Sequence, residues 1–316
     1  MRGFNPRVAR LGALGIVIAG AALAPQLSSR SDVLNLLVLI MLYVTLGQSW
    51  NILAGVAGQI NLGHAAFFGI GALATRSLWE AGFPFALAFL AGGVAAAAFA
   101  VAIGVPTFRL RGVYFSMGTL ALGEALRITV GNTLPRVTSL SVEDIAAYDL
   151  VGRYYLASGL ALATMAAAYL LLRSRWSLGI LAVREDEDAA RATGVSPLAH
   201  KMLALVLSSF FAGLAGGVFA YHQVSYYPSA PFAPTWTFDA LLITFIGGVG
   251  TLVGPVVGAL FYALVREVLA VSFVQVHQVV FGILFIVVVL VLPGGLVDAW
   301  SRAGRLLRLT PVGRLR

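Results

Sequence analysis

The chain is 316 residues long, 59% hydrophobic and 11% charged, with a mean hydropathy of +0.92. A soluble domain carries roughly 25% charged residues, so an ordinary globular enzyme is excluded; a polytopic, all-α membrane protein is expected, as one transmembrane domain over 1–316. Cysteine is absent, which removes disulfides and thiolate chemistry, and the net charge of +8, from 20 arginines and the single Lys201, gathers at segment ends as membrane orientation requires rather than as a nucleic-acid surface would.

Arg2, Arg7 and Arg10 precede a first apolar run, 11–27, and place the N-terminus in the cytoplasm. Ala22-Leu23-Ala24 resembles a signal-peptidase site, so retention and cleavage of this segment both stay open. Run 33–53 returns inward. The glycine-rich stretch 55–75, with Gln59, Asn61 and His64 at its start, is predicted to be a third span with an irregular, polar beginning. Run 87–105 ends at Pro106, before Arg109 and Arg111 on the inner side, and run 113–130 then crosses outward carrying Glu124 and Arg127. Residues 131–152, with Glu143, Asp144 and Asp149, read as an external loop, and 154–172 comes back in.

The stretch 173–201 is the most heavily charged of the chain, with Arg173, Arg175, Arg184, Glu185, Asp186, Glu187, Asp188, Arg191 and Lys201 between two apolar runs. Arg184 and Asp188 stand i,i+4, as do Glu187 and Arg191, which suits a short amphipathic helix at the cytoplasmic face. Ala189, Ala190 and Ala192 favour that helix, Gly194 suits its left-handed end, and Ser196-Pro197 reads as an N-cap with proline at the first position of the next helix. Two readings stay open for its acids: a surface gripped by another protein, or a solvated loop.

Run 202–221 goes out again, and 222–236, with three prolines and several aromatics, is a second external loop. The 28 residues of 238–265 would extend roughly 42 Å as one helix, more than a ~30 Å hydrocarbon core needs, and Gly247-Gly248, Gly250 and Gly254-Pro255 interrupt them. A last run, 268–292, leads to a basic tail, 302–316, expected in the cytoplasm. Parity then makes 238–265 a pair of short helices joined at the glycines, re-entrant or a tight hairpin. The expectation is a helical bundle of about ten hydrophobic segments, some glycine-broken or re-entrant, with both termini cytoplasmic. The glycine-broken segments of the two halves either mark an internal repeat or let helices pack closely.

No G-x-x-x-x-G-K-[ST], H-E-x-x-H or G-x-S-x-G occurs, and His64, His200, His222 and His277 are scattered. No catalytic residue, metal or cofactor is therefore expected. The polar groups inside apolar runs are the candidate pathway. Glu124 and Arg127, i,i+3 on one face, either lock helices as a neutralised pair or meet substrate. Gln59, Asn61 and His64 either line a cavity at the broken helix start or satisfy its backbone.

The segment Asp188-Ala189-Ala190-Arg191-Ala192-Thr193-Gly194 resembles the Glu/Asp-Ala-Ala-x-x-x-Gly element of permease subunits in binding-protein-dependent ABC importers. VREDEDAARATGV with FFAGLAGGVFA (210–220) is similar to the LivM-type branched-chain amino acid permease family. GQINLGHAAFFGIGA (58–72), YFSMGTLALGEALRI (114–128) and GGVGTLVGPVVGA (247–259) match further family blocks in order. The resemblance implies that the loop is a coupling helix docking on ABC ATPase subunits, with Arg184, Glu185, Asp186, Glu187, Asp188 and Arg191 meeting the ATPase and Ala189, Ala190 and Gly194 allowing close approach. It also implies a second related permease, a periplasmic binding protein delivering a small-molecule substrate over loops 131–152 and 222–236, surrounding membrane lipid, and location in the bacterial inner membrane. Asn61 stands where a small hydroxyl residue is expected, and Leu73-Ala74 where an aromatic-containing pair is, so urea or short amides remain alternative substrates to branched-chain amino acids. An ATP-independent carrier or channel using Glu124 and Arg127 is the alternative of a different class.

Overall fold

The computed structural model describes residues 31–134, 137–139, 148–272, 282–283, 286 and 294–299. The expected first segment, the basic tail and most of run 268–292 lie outside these residues. The first described helix, α1 (Ser31–Asn51), continues through a π-helical turn, Ile52–Val56. It is apolar on every side and residues 42–57 are all buried, so it is the central post of the bundle.

Around it stand α2 (His64–Glu80), α3 (Phe85–Thr107), α4 (Val113–Thr133), α5 (Leu150–Arg173) and α8 (Pro197–His222). Helices α6 (Arg175–Glu185) and α7 (Glu187–Ala192) separate α5 from α8, and α9 (Pro234–Gly247) and α10 (Gly254–Ser272) follow. Among the described residues four spans, Ser31–Val56, α3, α5 and α8, are long and apolar enough to cross a membrane. The architecture is that of an all-α membrane protein.

Lipid tails are as apolar as leucine, so helices gain by close van der Waals packing more than by burial, and small residues provide the approach. A Cβ on Gly71 would run into the Gly213 backbone, one on Gly216 into Phe68 O, and one on Gly92 into Thr75. These contacts hold α2, α3 and α8 together as a tight trio. The same device joins α9 to α10, where Gly247 lies against Gly254 and Gly258 against Ile243 O. At these positions the glycines serve packing.

Two ends of the molecule are distinct. At one, the strands β1 (Thr138–Ser139) and β2 (Ser225–Tyr226) pair antiparallel and tie the loop after α4 to the loop after α8. Two buried arginines close the C-terminal end of α8 there. Arg76 donates from Nη1 to Ala220 O (3.4 Å) and Gln223 O (3.2 Å), and the Arg153 guanidinium lies over the rings of Tyr148 (3.3 Å) and Tyr221 (4.2 Å). A cation at a helix C-terminus satisfies last-turn carbonyls and the negative end of the dipole. At the opposite end Asn51 clamps the glycine turn between α9 and α10, donating to Thr251 O (2.9 Å) and accepting from Gly250 N (2.8 Å).

Three expectations change. The charged stretch is two helices rather than one, because Asp186 adopts an extended conformation (φ −154, ψ 113) and its carboxylate caps α7. The Ser196 side chain makes no capping bond, although Pro197 does open α8. The chain does not break between 265 and 268: α10 runs on to Ser272, and Arg266, half exposed, pairs with Asp239 of α9.

Candidate functional site

The charged loop is built from α7 outward. Asp186 Oδ1 accepts from Asp188 N and Ala189 N, each at 2.9 Å, so the first turn has its donors satisfied. At the other end Gly194 sits at φ +87, Val195 N donates to Ala190 O (3.0 Å) and Gly194 N to Arg191 O (3.0 Å), a Schellman close that a Cβ would strain. A six-residue helix is too short to persist by propensity, so these caps and its anchors define it.

Lys201 on α8, itself buried, holds Glu187 at 2.5 Å. Arg191 reaches Glu187 (3.5 Å) and Asp188 (3.9 Å), and Arg111 from the α3–α4 turn reaches Asp188 (3.5 Å). Ala190 is buried, whereas Glu185, Asp188, Ala189, Arg191 and Gly194 are exposed. The expected Arg184–Asp188 pair is replaced by a longer reach. Arg184 Nη1 donates to Gly55 O (2.6 Å) in the π turn of α1, and the same Nη1 lies beside Gly250. A single side chain thus links the loop to α1 and to the α9–α10 turn.

The second expected cluster is drawn together only in part. Residues 57–63 form an irregular segment pinned on several sides. Trp50 Nε1 donates to Asn61 O (2.8 Å), Ser116 Oγ to Ile60 O (2.7 Å) and Leu62 N to Thr119 Oγ1 (3.1 Å). Asn61 Oδ1 accepts from Gly63 N (2.8 Å), His64 Nε2 lies 2.9 Å from Ser49 Oγ, and Ala65 N donates to Thr237 Oγ1 (2.8 Å). Most of this polarity serves the broken backbone, while Asn61 Nδ2 and His64 Nδ1 are buried without a partner. Gln59 stands apart, at its own turn.

Glu124 and Arg127 pair with each other on α4, Nη2 to Oε1 at 2.5 Å and Nε to Oε2 at 2.9 Å, with side chains 36% and 42% exposed. They do not join His64 or Asn61; the pair sits near mid-helix, on the less covered side of the bundle. Among the described residues no group of His, Asp and Glu is placed to hold a metal ion.

Two charged clusters were not singled out from sequence. Asp239 on α9 accepts from the Tyr262 hydroxyl of α10, while Arg266 Nη1 donates to the Tyr43 hydroxyl and lies 3.6 Å from Asp239 Oδ2. Near the ribbon, Arg76 Nε donates to Glu80 at 2.5 Å beside Tyr226. Burial pushes the Tyr226 hydroxyl above its ordinary pKa against the lowering influence of Arg76, so it keeps its proton and stays a donor. Ionisable residues interrupting apolar runs, with Arg76 and Glu80 at i,i+4, were the available signal for both clusters.

The profile of the family described as branched-chain amino acid transport system, permease component, matches residues 33–289. The high-affinity branched-chain amino acid transport system permease protein LivM of Escherichia coli K12 is 29% identical over 305 residues, covering 86% of this chain and 71% of that protein. LivM of Salmonella typhimurium is 30% identical over 307 residues, with 86% and 71% covered. The probable branched-chain amino acid transport permease protein LivM of Methanocaldococcus jannaschii is 24% identical over 215 residues, 61% of this chain and 62% of that protein. No solved structure gives a significant match.

Proposed function

The chain belongs to the branched-chain amino acid transport system permease family, and on that premise we propose that it is the non-catalytic permease subunit of an ABC importer for branched-chain or related amino acids in the bacterial inner membrane. ATP is hydrolysed on partner ATPase subunits, a second related permease completes the pathway, and a periplasmic binding protein delivers substrate at the ribbon end. The observation that carries this reading is the Arg184–Gly55 bond. Helix α7 offers exposed Asp188 and Arg191 to a partner, and Arg184 passes any displacement of the loop to the π turn of α1 and to the α9–α10 turn. A π turn at this junction suits a place where a helix must yield.

In this reading both termini are cytoplasmic and about ten hydrophobic segments lie in the membrane. Helices α9 and α10 form a tight two-crossing hairpin, in which α9 is a half-span. With 14 residues α9 rises about 21 Å, less than the ~30 Å core. It begins level with the middle of α1, where Trp236 packs on Tyr43 at 6.3 Å, and ends at the turn clamped by Asn51. The short 3-10 turn before it, Ala230–Phe232, packs Phe232 on Gly69, which supports a protein-buried break at membrane depth.

The test is uptake of labelled leucine and labelled urea by cells lacking the chain, complemented with wild type or with Asp188→Arg/Arg191→Glu. These two exposed positions spare the Asp186 cap. Leucine uptake restored by wild type and lost in the reversed variant is the expected result. Urea uptake with the same sensitivity replaces the substrate and keeps the mechanism. Uptake indifferent to the reversal overturns ATPase coupling and favours a self-sufficient carrier using Glu124 and Arg127.

A further inference from the structure

The ribbon end holds a half-open pocket of about 440 Å³ between the outer ends of α2 and α4 and the paired strands. Leu73, Arg76 and Glu80 of α2, Leu134 after α4, Thr138 of β1 and Tyr226 of β2 are among the residues that line it. Arg76 is 1% exposed and Tyr226 likewise 1%. Most of the Arg76 guanidinium is engaged, Nε with Glu80 and Nη1 with the two carbonyls at the end of α8. What remains is the point: Arg76 Nη2, Thr138 Oγ1 and the Tyr226 hydroxyl are all buried without a hydrogen-bond partner. Buried donors are rarely left unmade because the desolvation cost is not returned. The three lie just behind the wall of one space, and a ligand that brings acceptors can satisfy them once their side chains turn toward it.

The charge pattern narrows that ligand. Two hydroxyls and a cation can surround a carboxylate, and Glu80, 36% exposed, can accept from an ammonium. Leu73 and Leu134 offer an apolar wall. We propose that this cavity is a receiving site for a zwitterionic α-amino acid at the outer end of the permease, its carboxylate held by Arg76, Tyr226 and Thr138 and its ammonium by Glu80. A charged side chain of a docking protein is the weaker match, since the unpartnered atoms lie below the surface. The inference rests on the transport reading above and adds to it a site and a recognition chemistry. Urea, with a single carbonyl oxygen of two lone pairs, would leave at least one of the three donors unmade.

The experiment uses the intact importer, this chain with its partner subunits in lipid nanodiscs, and measures binding of labelled leucine. Competitors are 4-methylpentanoate, which lacks the ammonium, isopentylamine, which lacks the carboxylate, and urea. Each should compete at least ~10-fold more weakly than leucine, because a site built for paired hydrogen bonds rejects ligands that leave them unmade. Tyr226→Phe/Thr138→Val, which removes only unpartnered hydroxyls, should weaken leucine by roughly 10-fold or more while the subunits still co-purify. Competition by 4-methylpentanoate equal to that of leucine overturns zwitterion recognition in wild type, without any variant. Leucine affinity unchanged in the double variant, with ATP-driven uptake still sensitive to the loop reversal, overturns this site and leaves the proposed function standing. A wild-type importer that neither binds nor transports leucine overturns both.

Discussion

Asp186 and Asp188 look alike in sequence and do different work. Asp186 accepts two backbone N–H groups and builds α7, whereas Asp188 is 70% exposed and shared loosely between Arg111 and Arg191. Loss of an N-cap costs about 1 kcal/mol, and a Cβ at the left-handed Gly194 costs a comparable amount. For a six-residue helix either is enough to change how often it is formed. Asp186→Ala and Gly194→Ala should therefore lower uptake and make the loop more sensitive to added protease, whereas Asp186→Ser should keep most of both. Asp188→Ala should lower uptake with protease resistance unchanged. Equal proteolytic sensitivity of the Asp186 and Asp188 variants would remove the distinction between scaffold and contact surface.

Helix α4 poses the question of charge at membrane depth. Glu124 and Arg127 make a two-pronged pair on a helix of which much is uncovered in the single chain. Removing one partner of such a pair leaves an uncompensated charge, whereas removing both leaves none. If the pair is a structural lock, Glu124→Gln and Arg127→Gln should each reduce the level of inserted protein several-fold, and the double variant should recover most of it. If the pair meets substrate, protein levels stay normal and uptake falls in all three. Immunoblots of membranes beside uptake rates separate these cases. The element scale also shows what could be read from sequence. Continuous apolar runs announced α1, α3, α5 and α8 within a few residues, because lipid demands length and hydrophobicity and little else. The end of α10 was misplaced, since one run ends at 265 and the next begins at 268; Arg266 in that gap finds its partners Tyr43 and Asp239 on other helices, and local sequence says nothing of them. For the same reason Gly71 could be read as a small residue but not as the one facing Gly213. In the charged loop the helix start at Pro197 and the close at Gly194 were legible, being local chemistry, while the bond from Arg184 to Gly55 joins distant segments and was not.

At the scale of the molecule, the ribbon and the charged loop occupy opposite ends, and a transport cycle has to relate them. The ribbon joins the chain after α4 to the chain after α8, and α8 in turn carries Lys201, which anchors α7 at the other end. A rocking movement that opens the outer face must part α4 from α8 or carry them together. Ser139 faces Ser225 across the ribbon, at a spacing where an antiparallel pair brings Cα atoms within about 4.5–5.5 Å, inside the range a disulfide accepts. The chain has no cysteine, so Ser139→Cys/Ser225→Cys would form a single defined link in an oxidising outer compartment. Parting of the helices predicts that uptake is lost in the linked protein and returns with a membrane-permeant reductant, with either single variant active throughout. Joint movement predicts full uptake with the link in place, and would assign the ribbon to the moving body rather than to the gate. The same two cysteines test orientation: each single variant should react with an impermeant maleimide added to spheroplasts, while Arg191→Cys should react only after the membrane is opened. Labelling of Arg191→Cys from outside would invert the topology and, with it, the side from which ATP acts.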